Sequence, residues 1–371
     1  MENTTKKKRD KTIDILKGTG IVLMVAGHSG VPFTNFVYLF HMAIFFIASG
    51  YCYSNRKSEN LQSVWKNCFG KMKSLWLPYM FWMMLFSLVH NFFVTINVYT
   101  NDERLYEYSQ GEYVSTIPYW GRNEIMVNIK NALVLRGESQ IGGALWFVAV
   151  LLEISIVYCI IDFVIRKCMK GTLVWIAQGV LAICLLLVGY YCHKTGMTIL
   201  GLSKMCSYYC LFYIGNLIKS LNLYEKKRNG IIHVGVFVVC FCILIISTHY
   251  GSIALASNSY VNPIFLLIVS FSGWQWIYEL SWMIKKLQYT SSVMICFGQN
   301  TLMIVILHFL CFKLVNYIGA MFNQWPLCSV AAFPTLFKGG VWWIAYTVTG
   351  VIIPVGISLI WKKIISELKI K

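Results

Sequence analysis

The feature that most constrains this chain is a series of long apolar stretches, each close to the length of a membrane-spanning helix. A bilayer core requires about 20 mostly apolar residues per helix. The composition agrees, because 57% of the 371 residues are hydrophobic and only 13% are charged, whereas soluble domains contain about 25% charged residues. The sequence therefore excludes a soluble enzyme and a disordered protein, and it predicts an all-α integral membrane protein. The polytopic bundle has about ten predicted transmembrane helices, at 13–33, 37–54, 75–97, 145–165, 173–191, 206–220, 231–248, 261–280, 292–315 and 341–361.

The distribution of Lys and Arg predicts the orientation of these helices. Cytoplasmic loops of membrane proteins collect Lys and Arg. With a cytoplasmic N-terminus, ten spans leave only eight of the 32 Lys and Arg residues outside. Both chain ends are therefore predicted to be cytoplasmic. The same bias explains the net charge of +17 without a nucleic-acid partner.

The chain is predicted to form a single domain over 1–371, with one long external loop at 98–144. This loop is too short and too polar to fold around a core of its own. Loops of this length in compact proteins are usually lids, binding elements or disordered segments. The basic run at 6–11 resembles the start of a signal peptide, but no small-residue cleavage site follows it, so an uncleaved span is predicted.

Three ionisable residues lie in the first apolar stretch, where each has an energetic cost and therefore needs a reason. Lys17 and His28 are 11 residues apart, which is 20° past three full helical turns, so they share one face at a separation of about 16 Å. Asp14 precedes Lys17 by three residues and is expected to pair with it. The helix is thus predicted to carry a salt-bridged cation near its cytoplasmic end and an imidazole in its outer half.

Further ionisable groups are predicted at similar depth in other helices. His41, His90 and His308 fall in the outer half, and Glu153 lies closer to the middle. A single membrane histidine is also explained by an interhelical hydrogen bond, Lys17 by snorkelling and His90 by the interface. Several such groups converging at one depth instead favour a site, since imidazole accepts and returns protons near neutral pH, as activation of a hydroxyl requires.

A basic stretch at 66–78 precedes the third apolar stretch and contains Lys66, Lys71 and Lys73. Ordinary enrichment of cytoplasmic loops in Lys explains it, and so does a site for the phosphates of a soluble donor. The sequence lacks the glycine-rich loop of ATP-binding proteins, the serine elbow of hydrolases and the His-Glu-x-x-His zinc motif. No metal site is predicted.

Five short motifs occur in the order found in a known family. The chain resembles acyltransferase family 3, the membrane-bound O-acyltransferases of bacterial surface glycans, and is similar to the fucose 4-O-acetylases within it. The motifs are Ile13-Asp14-Ile15-Leu16-Lys17-Gly18 leading to Gly27-His28, Phe40-His41-Met42 leading to Ser49-Gly50-Tyr51, Lys73-Ser-Leu-Trp-Leu-Pro78-Tyr79, Leu145-Trp146-Phe147, and Gly298-Gln-Asn300-Thr-Leu with His308.

The resemblance implies a role for each matched position. His28 would be the catalytic histidine, Lys17 its basic partner, and Lys71 and Lys73 would lie on the side of the donor, cytoplasmic acyl-CoA. The remaining candidate residues are His41, His308 and Glu153 as groups that orient or assist His28, and Asp14, Trp146 and Asn300 as supports of the site.

The predicted function is transfer of an acyl group, most simply acetyl, from acyl-CoA to a hydroxyl of a cell-surface polysaccharide or its lipid-linked sugar precursor. The thioester is already activated, so acyl-CoA is expected as a co-substrate without a tightly bound cofactor. The predicted location is the plasma membrane of a bacterium, in contact with membrane lipids. The alternative is a carrier or flippase for a sugar or lipid precursor, with the histidines as a proton relay, and a sensor or scaffold is a third reading.

Overall fold

The computed structural model describes residues 9–109, 115–197, 202–225 and 229–368, so residues 6–8 of the basic run lie outside the described residues. These residues are almost entirely helical. One two-stranded antiparallel sheet, β1 (Ile253–Ala254) with β2 (Ser259–Tyr260), pairs Ile253 with Tyr260. The helices are α1 (Lys11–His28), α2 (Thr34–Tyr38), α3 (Ala43–Tyr51), α4 (Leu61–Lys71), α5 (Leu77–Leu88), α6 (His90–Thr95), α7 (Leu105–Tyr108), α8 (Arg122–Leu133), α9 (Trp146–Cys168), α10 (Thr172–Thr195), α11 (Ser203–Ser220), α12 (Gly230–Ser247), α13 (Pro263–Ile284), α14 (Gln288–Gln299), α15 (Thr301–Phe322) and α16 (Trp342–Leu368).

The prediction of an all-α, multi-pass membrane protein is confirmed. Seven helical segments of the described chain are long and apolar enough to cross a membrane, namely Thr34–Tyr51, Gly143–Cys168, Thr172–Thr195, Gly230–Ser247, Pro263–Ile284, Thr301–Phe322 and Trp342–Glu367. The predicted spans at 13–33, 75–97 and 206–220 are outside this set. The first carries three charged residues within α1, and the second is divided between α5 and α6. Ten spans and cytoplasmic ends stay predictions.

The predicted spans at 37–54 and 292–315 are not single continuous helices, although Thr34–Tyr51 is still long and apolar enough to cross a membrane. The first separates into α2 and α3 around Leu39–Met42. The second breaks at Asn300, whose side-chain oxygen accepts from Ser358 Oγ at 2.7 Å and Lys362 Nζ at 2.6 Å. Both donors belong to α16, so a contact with a distant helix fixes the break, and apolar content alone cannot reveal it.

Helix α1 lies at the centre of the bundle and contacts α2, α3, α13, α14, α15 and α16. It begins where Asp10 Oδ1 accepts from the backbone N–H of Thr12 at 2.9 Å, a normal N-terminal cap. It ends at His28, and Gly30 then adopts a left-handed conformation with φ of +78°. The predicted span 13–33 is therefore shorter as a helix, and His28 is its last residue.

Two helix crossings depend on glycines that allow close backbone approach. A Cβ at Gly18 of α1 would collide with the carbonyl of Met294, and a Cβ at Gly298 would collide with the carbonyl of Asp14. Gly215 of α11 lies equally close to the carbonyl of Ile47 on α3. Small residues commonly permit such close packing between membrane helices. The first crossing brings the α14–α15 break next to α1, and the second packs α3 against α11.

Candidate active site

Three of the predicted histidines meet at the C-terminal end of α1. The ring centroid of His28 lies 5.5 Å from that of His308 on α15 and 6.0 Å from that of His41, between α2 and α3. The hydroxyl of Tyr38 lies 3.1 Å from His28 Nδ1. We call His28, His41 and His308 the histidine cluster.

Hydrogen bonds indicate which nitrogens of the cluster carry protons. His41 Nδ1 lies 3.1 Å from the carbonyl of Val37, and His308 Nδ1 lies 2.9 Å from that of Ile304. A carbonyl only accepts, so each Nδ1 donates its hydrogen and each neutral ring keeps Nε2 as an acceptor. Nε2 of His308 is buried and has no hydrogen-bond partner among the described residues. An orphaned buried acceptor of this kind calls for an explanation, and a ligand supplies one.

Exposure distinguishes the three rings. His41 and His308 are buried, with 6% and 0% of their surface exposed, whereas His28 is partly exposed. His28 is therefore the most exposed member of the cluster. Within the described chain, no group of three or more His, Cys, Asp or Glu residues is arranged to hold a metal ion.

A cluster of lysines lies towards the other end of α1. Lys17 Nζ is 3.9 Å from the sulfur of Cys52, the residue that follows α3. Burial, together with the positive charges of Lys57 and Lys17, lowers the pKa of Lys71 to about 8. Burial also lowers the pKa of Lys57. We call Lys17, Lys57 and Lys71 the lysine cluster, and their mutual repulsion shows that the site concentrates positive charge.

A cavity of about 250 Å³, the Lys17 cavity, has one member of the lysine cluster and chain neighbours of the histidine cluster in its wall. Its wall includes Lys17 at one end, and Met42 and Val305 elsewhere. Met42 follows His41 in the chain, and the carbonyl of Val305 lies 3.1 Å from His308 Nδ1. The cavity wall thus includes a member of the lysine cluster and residues beside the histidine cluster. Lys17 and His28 themselves are about 16 Å apart along α1.

The predicted pairing of Asp14 with Lys17 is wrong. Asp14 Oδ2 lies 3.7 Å from Arg9 Nε and 3.4 Å from the amide nitrogen of Gln299. Lys17 instead faces Cys52 and the cavity. Sequence spacing permitted the i,i+3 pair, but α14 supplies a competing partner for Asp14. The result leaves the Lys17 ammonium available at the cavity wall.

Glu153 lies apart from the histidine cluster, which contradicts its expected position beside His28. Its Oε1 accepts from Arg136 at 2.9 Å, while its Oε2 is buried without a hydrogen-bond partner in the described part of the chain. Arg136 lines a larger cavity of about 740 Å³, the Arg136 cavity, together with Trp146 and Lys204. Lys204 Nζ is 5.5 Å from the centre of the Trp146 ring. The predicted support residue Trp146 therefore belongs to a second, separate cavity.

The remaining predicted residues, His90, Lys73 and Asn300, belong to neither cluster. His90 is buried, stacks on Trp120 at 3.7 Å and lies 3.0 Å from the carbonyl of Pro118, so it anchors the long loop. Lys73 is exposed in the π-helical turn Met72–Trp76 and contributes to neither cavity. Asn300 forms the α14–α15 break described above, which places His308 beside α1.

Sequence reasoning missed Tyr38, which contacts His28, and Lys57, a member of the lysine cluster. Tyr38 precedes His41 by three residues, which is one helical turn, so a search for polar aromatic groups near a candidate histidine would have found it. Lys57 has no such signal. It is one of several basic residues after an apolar stretch, and only the packing of the turn Asn55–Ser58 on α9 brings it near Lys71.

Comparison with known proteins identifies a family. The model of a family described as an acyltransferase domain (Acyl_transf_3) matches residues 10–359, which is nearly the whole chain and includes both clusters. No curated protein and no solved structure matches the chain. A match of this extent, together with the apolar helices, means that the chain belongs to acyltransferase family 3 and is a multi-pass membrane acyltransferase.

Proposed function

We propose that the protein transfers an acetyl group from cytoplasmic acetyl-CoA to a hydroxyl of a cell-surface glycan, or of its lipid-linked precursor, outside the plasma membrane of a bacterium. One observation carries the proposal. A positively charged cluster and a histidine cluster lie towards opposite ends of α1, and the wall of the Lys17 cavity contains Lys17 together with neighbours of His41 and His308. This arrangement suits a charged donor on one side and an uncharged hydroxyl on the other.

The lysine cluster is suited to the phosphates of the donor. Lys71 and Lys57 are partly buried, so a phosphate beside them would be screened less than one at an exposed lysine. The acyl-bearing arm of CoA would extend along the Lys17 cavity towards Met42 and Val305. The phosphates then remain at the cytoplasmic face, which avoids moving several charges through hydrocarbon.

The chemistry requires one base and no additional reactant. With Nδ1–H donated to the Tyr38 oxygen, His28 Nε2 removes the proton from the acceptor hydroxyl. The hydroxyl oxygen attacks the thioester carbonyl, so a new C–O bond forms and the C–S bond breaks. The proton passes from His28 to the departing CoA sulfur, which leaves as the thiol. His41 and His308 keep His28 in place, and the Nε2 acceptor of His308 can bind the hydroxyl before transfer.

The Arg136 cavity is the proposed entrance for the glycan. Its Trp146 ring offers an apolar face for a sugar ring, and Glu153 Oε2 offers an unused acceptor nearby. Phe309 lies near both the wall of this cavity and His28: a Cβ at Gly143 in the cavity wall would lie 3.6 Å from Phe309, whose ring centroid is 5.0 Å from that of His28. Movement of Phe309 would open a path from the Arg136 cavity to His28.

The proposal includes the orientation of the chain, with ten spans, both termini in the cytoplasm and loop 98–144 outside. Gln62 and Glu107 are both exposed, and the proposed orientation places them on opposite sides of the membrane. One cysteine at a time would be introduced there, by Gln62→Cys or by Glu107→Cys. An impermeant thiol reagent applied to intact cells is expected to label position 107 and not position 62, relative to the unsubstituted protein. Labelling of both, or of position 62 alone, would contradict the orientation.

The decisive experiment is mass spectrometry of surface glycans from cells with and without the gene, complemented by the wild type or by His28→Ala. The expected result is a mass difference of one acetyl group that wild type restores and His28→Ala does not. Loss of an entire sugar unit in the deletion strain would contradict the proposal and support a carrier. Restoration of the acetyl group by His28→Ala would show that His28 is not the catalytic base.

A further inference from the structure

A third cavity lies at the same end of the bundle as the lysine cluster. It measures about 690 Å³ and lies between the turn Asn55–Ser58, the start of α4 and the last turns of α9. We call it the Arg56 cavity. Its volume falls in the range of about 300–1,000 Å³ that is typical of ligand pockets.

The side chains that line the Arg56 cavity are mainly basic. Arg56, Arg166 and Lys167 contribute positive charge, and Glu59 is the acidic residue in the wall. Arg56, Lys167 and Glu59 are exposed to solvent. A ligand that enters from the cytoplasm would therefore meet two cations at the rim of this cavity.

Arg166 has a donor without an acceptor. Its Nε donates to Asp162 Oδ1 at 2.8 Å, but its Nη2 is buried and has no hydrogen-bond partner among the described residues. Asp162 also accepts from Tyr53, Ser58 and Gln178, so its oxygens are already well supplied with donors. A guanidinium held in place with a free N–H matches the geometry of a phosphate oxygen.

The Arg56 cavity adjoins the lysine cluster. Lys57 of that cluster and Arg56 belong to the same turn, and the Lys57 carbonyl accepts from Cys159 Sγ at 3.4 Å. Phe163, which lines the cavity, is four residues after Cys159 on α9, or about 6 Å along the helix. Phe163 also provides an aromatic surface for a planar base.

We propose that the Arg56 cavity binds the 3′-phosphoadenosine end of CoA, with its 3′-phosphate at Arg56, Arg166 and Lys167 and its base near Phe163. The diphosphate then reaches the lysine cluster, and the remaining arm follows the Lys17 cavity. This inference rests on the proposed function. The phosphate of an anionic lipid headgroup has the same chemistry, and the experiment separates the two sources.

The test compares CoA with dephospho-CoA, which lacks only the 3′-phosphate. Both affinities would be measured by calorimetry on the full chain in nanodiscs of zwitterionic lipid at constant ionic strength. Wild type is expected to bind CoA at least about tenfold more tightly than dephospho-CoA. The double variant Arg56→Gln/Lys167→Gln is expected to bind the two equally. Lys170→Gln/Lys363→Gln, a matched loss of two exposed charges outside the cavity, is expected to keep the preference.

Arg166→Lys provides a second measurement, since it retains a cation near Asp162 and removes the unpartnered Nη2. A smaller preference for CoA is expected, with unchanged affinity for dephospho-CoA. Wild type that binds both ligands equally would overturn this inference and leave the proposed function standing, whereas wild type that binds neither would overturn both. A double variant that keeps its preference for CoA but loses co-purified anionic lipid would assign the cavity to a lipid headgroup and overturn the adenosine assignment.

Discussion

Two histidine sites in this protein differ in the described partners of their rings, which include a carboxylate at one site and none at the other. His233 on α12 lies 2.5 Å from Glu279 Oε2 on α13 and stacks on Trp282 at 3.8 Å. The rings around His28 contact one another and aromatic side chains, and their described hydrogen bonds involve Tyr38 and backbone carbonyls. A histidine paired with a carboxylate holds two helices together, whereas a histidine with a free Nε2 can exchange a proton with a substrate.

The same contrast applies to the cations. Arg136 pairs with Glu153 and Arg166 with Asp162, while the described neighbours of Lys71 include two further lysines and no carboxylate. Buried charges are ordinarily paired. Lys71 and the His308 imidazole depart from this pattern, and the following predictions test whether that departure marks residues that act on the donor and the acceptor.

The largest effect is expected from loss of the His28 base. His28→Ala should reduce turnover at least about a hundredfold, because general-base catalysis contributes about 10²–10⁴-fold. Turnover of purified protein in nanodiscs measures this directly. His233→Ala should leave the turnover of folded molecules within about threefold. Equal losses in both variants would show that the carboxylate does not distinguish the two sites.

A large effect on stability is expected at the paired histidine. Glu279→Ala breaks a fully buried interaction, and such losses cost about 3–5 kcal/mol. The free energy of unfolding in detergent should fall by about 3 kcal/mol, with turnover retained by the folded fraction. The matched control is Glu225→Ala, which removes the exposed partner of Lys219 and should change stability by less than about 1 kcal/mol. A stable Glu279→Ala protein without activity would instead place this pair in the mechanism.

Donor affinity should separate two neighbouring lysines. Lys71→Ala is expected to weaken binding of acetyl-CoA by about tenfold, since it removes a partly buried charge beside the phosphates, and to reduce the dependence of that affinity on salt. Lys73→Ala is expected to change the affinity by less than about twofold, because Lys73 is exposed and outside the cluster. Calorimetric titrations at two salt concentrations measure both quantities. Equal effects of the two substitutions would mean that both lysines reflect only the general enrichment of cytoplasmic loops in Lys and Arg.

A smaller effect is expected from pH. The pKa of Lys71 is lowered to about 8 by burial and by its cationic neighbours. The attractive charge is therefore present below pH 8 and is lost as the pH rises through that value. The affinity for acetyl-CoA should fall about threefold between pH 7 and pH 9. Lys71→Arg, which stays charged throughout this range, should show a flatter profile, and an equal fall in Lys71→Arg would exclude Lys71 as the titrating group.

Depth in the membrane could be predicted for the histidines, but partners could not. Hydropathy and helical rise located His28, His41 and His308 at one level, and the structure brings the rings of His41 and His308 within about 6 Å of the His28 ring. The same reasoning placed Glu153 and His90 in the same group, although Arg136 and Trp120 are their partners. Depth is one coordinate out of three, so residues at equal depth on different helices can lie on opposite sides of the bundle.

By itself, the sequence determined the environment of this protein, its helical content and its family, because apolar length and short motifs are local properties of the chain. The tertiary structure decided the functional pairings. In the structure Asp14 pairs with Arg9, and Lys17 lies at the wall of a cavity. Hydrogen bonds from α16 to Asn300 accompany the break between α14 and α15. The tertiary structure also placed Lys57 beside Lys71. Which charges remain unpaired depends on distances between helices that are remote in the chain, and local sequence does not contain those distances.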